Sequence, residues 1–128
     1  MVFEHFALNV PDAAAAADWY VRHLGFTIVR AITGAPFTRF LADETGRTVL
    51  EVYSNPSQAI PDYAQQHWLV VHFAVVSANA DADRARLEAA GATLATIDEL
   101  PDGSRLIMMR DPWGVCVQLC QRAQPMPR

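Results

Sequence analysis

The chain opens on a short run of β-type residues, Phe3 to Val10, which Pro11 stops. Asp12 then holds an N-cap position before Ala13 to Leu24, a stretch rich in strong helix formers, and Gly25 follows it. Cap, composition and terminal glycine together predict a helix. Phe26 to Thr33, Phe37 to Ala42 and Thr48 to Ser54 read as strands, with Gly34-Ala35-Pro36 and Asp43-Glu44-Thr45-Gly46 as the turns between them. Asn55 to Gln66 carries Pro56 and Pro61 and reads as a connection. The same order then returns. Leu69 to Ser77 is a strand, and Asn79 to Ala90 is a helix that ends at Gly91. Thr93 to Ile97, Arg105 to Arg110 and Val115 to Leu119 are strands.

The pattern is two copies of a β-α-β-β-β unit of about 55 residues. The expected layout is a first module over residues 1–56, a linker over 57–66, a second module over 67–121 and a tail over 122–128, all within one compact domain. His5-Phe6-Ala7-Leu8 and His72-Phe73-Ala74-Val75 align at an offset of 67, and the same offset carries Glu51 onto Gln118. In both halves 46 residues separate the histidine from the acid or amide.

Side chains alternate faces along a strand. Phe6, Leu8 and Val10 therefore share one face, and His5 lies on the other with Phe3, Ala7 and Asn9. Leu50 and Val52 oppose Glu51, which shares its face with Val49 and Tyr53. Phe73 and Val75 oppose His72, and Val115, Val117 and Leu119 oppose Gln118. Each of these four strands offers an apolar set to the helices and one polar group to the opposite face. Paired across a pseudo-two-fold axis, the units would gather His5, Glu51, His72 and Gln118 in one cleft. Two imidazoles with carboxylate and amide oxygens suit a divalent metal, and such a site would leave positions open to substrate.

Composition narrows the chemistry. Apolar residues make up 52% of the chain and charged residues 19%, as a globular domain needs. A net charge of −4 argues against a nucleic-acid partner. All ten basic residues are arginine, so lysine Schiff-base chemistry, a pyridoxal-phosphate enzyme and a P-loop are excluded. Cys116 and Cys120 lie four apart on one strand, roughly 13 Å along it, and cannot bridge to each other. No apolar run is long enough to span a bilayer, and the N-terminus lacks the basic start and apolar core of a signal peptide. A cytoplasmic protein without a membrane partner is expected.

The chain resembles the vicinal oxygen chelate superfamily, which includes glyoxalase I, bleomycin-resistance proteins and extradiol dioxygenases. The resemblance rests on Glu4-His5-Phe6-Ala7-Leu8-Asn9-Val10, on Trp19-Tyr20-Val21-Arg22-His23-Leu24-Gly25-Phe26 and on Asp111-Pro112-Trp113-Gly114-Val115-Cys116-Val117-Gln118-Leu119. It implies an α+β fold, two βαβββ modules forming a cupped eight-stranded mixed sheet with helices on the outer face. It also implies one divalent ion (Zn, Ni, Co, Mn or Fe) held by His5, Glu51, His72 and Gln118. The closing ligand of the family is most often Glu, and in glyoxalase I that Glu is also the base. Gln118 can ligate through its oxygen but cannot take a proton, which leaves Glu51 as the catalytic base.

The activity so implied is that of a glyoxalase-like lyase or isomerase, acting on a small substrate with vicinal oxygens through an enediolate-type intermediate. The alternatives are a metal-free binding protein of the bleomycin-resistance type and an Fe(II) ring-cleaving dioxygenase. Asn55 stands where glyoxalase I places an Asn against glutathione, while Asn9 stands where that enzyme has an Arg. Tyr53, sharing a face with Glu51, and Trp113, in the turn before the last strand, are further candidates to border a substrate. Trp19 and Tyr20 read as packing residues of the first helix. Arg39 and Arg105 fall in strands and are open to an anionic substrate or to surface duty. Small members of the family pair, so a homodimer is expected.

Overall fold

The computed structural model describes residues 1–127. The chain forms two compact units, Met1–Pro61 and Asp62–Arg128. Each unit has one four-stranded mixed sheet and one helix, the βαβββ arrangement of an α+β fold.

In the first unit β1 (Phe6–Asn9), α1 (Ala13–Leu24), β2 (Thr27–Ala31), β3 (Arg39–Ala42) and β4 (Thr48–Tyr53) follow in chain order. The sheet order is β1-β4-β3-β2, with β1 parallel to β4 and the other pairs antiparallel. α1 begins where the Asp12 carboxylate accepts from Ala15 N at 2.9 Å, and it ends at Gly25 in a left-handed conformation. Its Ala13, Ala16, Ala17, Trp19 and Tyr20 are buried, as are Leu8, Leu41, Leu50 and Val52 of the sheet. α1 packs on β4, β3 and β2, so these residues are one core.

The second unit repeats the plan with β5 (His72–Val76), α2 (Ala80–Ala89), β6 (Thr93–Glu99), β7 (Arg105–Arg110) and β8 (Cys116–Gln121), in sheet order β5-β8-β7-β6. The repeat reaches single hydrogen bonds. Ser54 Oγ accepts from Ala13 N at 2.8 Å, and 67 residues later Gln121 Oε1 accepts from Ala80 N at 2.8 Å. The first N–H of each helix is thus capped from the end of its unit's last strand, by Ser54 just past β4 and by Gln121 closing β8. Arg110 holds the segment before β5, donating to the carbonyls of Tyr63 and Gln66 at 2.7 and 2.6 Å. Gly114 makes that fit possible: its φ is +86°, and a Cβ there would lie 2.6 Å from Ala64 N.

Several strands are shorter than their apolar runs. β1 begins at Phe6 rather than Phe3: its pairing with β4 starts at Leu50, and the carbonyl of Phe3 accepts from the Arg47 guanidinium instead at 3.0 Å. β5 begins at His72 rather than Leu69, since Val70 N closes a turn onto His67 O. Pro36 and Phe37, the latter at φ 59°, delay β3 to Arg39. In the other direction β6 runs on to Glu99 and β8 to Gln121. Among the described residues no helix is long and apolar enough to cross a membrane.

Candidate functional site

Register puts the expected residues of the first unit on the sheet face turned away from α1. Ala7 pairs with Glu51, and Glu51 pairs with Phe40 across the next strand. His5, two residues before Ala7, leans over the same face, and its Nε2 lies 2.9 Å from Glu51 Oε2. Phe40 meets the imidazole edge-on, with ring centroids 5.5 Å apart. Nδ1 of His5 lies 3.2 Å from Oε1 of Glu4, at an angle that leaves it without a hydrogen bond among the described residues.

The donor pair fits a divalent ion. Imidazole nitrogen and carboxylate oxygen are both donor types such an ion takes, and the two stand at hydrogen-bond distance, 2.9 Å. Among the described residues no group of three or more His, Cys, Asp or Glu is ready to hold a metal.

In the second unit His72 is exposed and pairs with Cys116, while Gln118 pairs with Ala74 and Met108. The Oε1 of Gln118 accepts from the Cys120 thiol at 3.3 Å. Cys116 and Cys120 are free and buried, and burial pushes both thiols up from their ordinary pKa. They pack as small apolar groups.

The remaining expected residues divide. Asn9 and Asn55 are brought together: Asn9 Oδ1 accepts from Asn55 N at 2.9 Å, and Asn9 Nδ2 donates to Asn55 O at 3.2 Å. Asn55 Oδ1 in turn accepts from Ser57 N and Oγ. Tyr53 is half-buried and pairs with Asn9. Trp113 is half-buried in a turn built on Asp111, whose Oδ1 accepts from Trp113 N and Val115 N at 2.9 Å. Arg39 spends its guanidinium on the carbonyls of Ile32, Phe37 and Thr38, and Arg105 pairs with Asp81 and Glu99.

Two residues that alternation does not reveal also belong to this face. Ile28 pairs with Leu41 but Arg30 pairs with Phe40, so Val29 is an extra residue in β2. Without the bulge Arg30 would follow Ile28 toward the helix; with it, Arg30 stands beside Phe40. Arg30, Phe40, Val29, Thr48 and Glu4 line a recess of about 220 Å³.

The chain matches the profile of the Glyoxalase/Bleomycin resistance protein/Dioxygenase superfamily over residues 2–119. No curated protein matches it in sequence. Among solved structures it is similar to SMU.1112c, at 23% identity and TM-score 0.72 over 94% of this chain and 98% of that one. It is similar to TnmS3, an antibiotic binding protein from Streptomyces sp. CB03234, at 22% identity and TM-score 0.68 over 96% and 97% of the two chains. It is also similar to a lactoylglutathione lyase from Agrobacterium tumefaciens, at 22% identity and TM-score 0.65 over 93% and 92%. At these identities the likenesses show a shared fold. The two βαβββ units and the profile match together place the chain in the Glyoxalase/Bleomycin resistance protein/Dioxygenase superfamily.

Proposed function

We propose that the protein is a metal-dependent lyase or isomerase of the glyoxalase type, acting on a small molecule with vicinal oxygens. The observation that carries this reading is the His5 Nε2–Glu51 Oε2 pair at 2.9 Å, which brings two metal-ligating groups together on one sheet face. The proposal takes His72 and Gln118 as the further donors that the family pattern implies. A bound divalent ion would supply Lewis-acid polarisation of the substrate oxygens.

The chain's own residues supply the rest. Glu51 is the carboxylate that takes a proton from the carbon beside the substrate oxygens, because the equivalent Gln118 has no basic oxygen at neutral pH. Phe40 fixes the His5 imidazole from its edge, beside Glu51. Proton exchange into a panel of α-hydroxyketones and hemithioacetals in D2O, followed by NMR with and without added Mn, Ni or Zn, tests this. The wild type is expected to exchange in a metal-dependent way, and Glu51→Gln to lose about 10²- to 10⁴-fold of that rate. Undiminished exchange in Glu51→Gln would overturn the role.

A second reading, a metal-free small-molecule binding protein, is favoured by one feature of the second unit. There the counterparts of Glu51, Phe40 and Arg30 are Gln118, Met108 and Thr96, a neutral row whose amide oxygen is taken by a thiol. Ligand binding that survives chelation with no proton exchange would select this reading.

A further inference from the structure

Arg30 is the group on the site face that the proposed chemistry leaves unused. Every other described arginine donates to a main-chain carbonyl, a carboxylate or a thiol. Arg30 is exposed and, among the described residues, has no such partner. Its position is also not the default one. Strict alternation along β2 would send it to the helix side, and the extra residue at Val29 turns it over beside Phe40. Bulges commonly re-aim a side chain next to a functional site. A second irregularity, at Val49 in β4, brings Thr48 into register with Ala42 and into the same recess.

The result is a row across one sheet: Arg30 on β2, Phe40 on β3 and Glu51 on β4, with His5 leaning onto Glu51. Two strand spacings, about 10 Å, separate the guanidinium's strand from that of the carboxylate. An aromatic ring lies between. Glu4 lines the same recess, and its carboxylate lies 3.2 Å from His5 Nδ1. The second unit has no such polarity, since Thr96 takes the place of Arg30.

We propose that Arg30 is an anion-recognising residue that binds a carboxylate at the far end of the ligand, so that the substrates of this site are small organic acids. The carboxylate meets the guanidinium fork, the apolar middle lies on Phe40 in the 220 Å³ recess, and the vicinal oxygens reach His5 and Glu51. The inference rests on the reading of His5 and Glu51 as the reactive end, but its test does not need turnover.

Two stable probes serve: 3-(3,4-dihydroxyphenyl)propanoate, with vicinal oxygens and a distal carboxylate, and its uncharged methyl ester. Calorimetric titration of both into the wild type, Arg30→Gln and Arg30→Lys reads the contribution of the charge. The acid is expected to bind the wild type about tenfold tighter than the ester or better, since the guanidinium makes charge-assisted hydrogen bonds to a carboxylate that an ester cannot match. Arg30→Gln should bring the acid down to the ester's affinity, and Arg30→Lys should restore part of the difference. Equal binding of acid and ester by the wild type, an acid preference that survives Arg30→Gln, or no binding of either probe would overturn the inference. An acid preference that depends on Arg30 in a protein without metal-dependent proton exchange would keep the inference and remove the glyoxalase reading.

Discussion

Asn9 is buried, 8% exposed, and its side chain holds the backbone of Asn55 through the hydrogen bonds described above, one accepted and one donated. It ties the end of β1, which follows directly on His5, to the chain just after β4, which carries Glu51. Asn9→Ala would strand the Asn55 N–H and carbonyl in a half-buried place. It should cost about 1–3 kcal/mol in urea unfolding, and a loss below the error of the measurement would contradict this role. Residue type and spacing made His5 and Glu51 legible as a pair, because β1 and the far end of β4 are regular and alternation holds there. The duty of Asn9 was not legible: an asparagine one strand-end away from an active face looks the same whether it waits for a ligand or pins a loop. Arg30 was hidden for a different reason, since one inserted residue in β2 reverses the face of everything after it.

At the scale of the element, both helices were readable from their ends. Asp12 and Gly25 bound α1, and Asn79 bounds the start of α2 with its side chain accepting from Ala82 N. These are local interactions, and local chemistry is what a sequence displays. Strand limits depend on a partner far away in the chain, which is why β1 and β5 are shorter than the apolar runs that announce them. α2 adds a feature with a pH signature. Burial would push the Asp83 carboxyl up, but hydrogen bonds from Ser77 and Arg86, with the Arg86 charge, hold it below the usual carboxylate range. A carboxyl lowered in the folded state stabilises it above the unfolded pKa, about 3.9, and loses that contribution as pH falls through the folded value. The urea midpoint of the wild type should therefore drop more between pH 6 and pH 3 than that of Asp83→Asn. Parallel curves would refute the account of α2.

At the scale of the whole molecule, duplication explains more than any single element. The two units share strand order, a helix whose first N–H is capped from the end of the last strand and a histidine at the same place in the sequence, the cap and the histidine offset by 67 residues. What has diverged is the row facing away from the helix. One copy carries an arginine, an aromatic ring and a carboxylate paired with histidine, and the other carries threonine, methionine and an amide. The duplication was legible because caps and turn glycines recur. The polarity of the first row was not, because the face of Arg30 depends on the bulge in β2. Charged chemistry is thus concentrated in the first unit, with Glu51 at its centre. The most direct test is calorimetric titration of Ni, Zn and Mn into chelator-stripped protein, alongside His5→Ala. The account predicts one ion bound per chain, with affinity lowered about tenfold or more in His5→Ala. No uptake of any of these ions, or uptake that His5→Ala leaves unchanged, would contradict it.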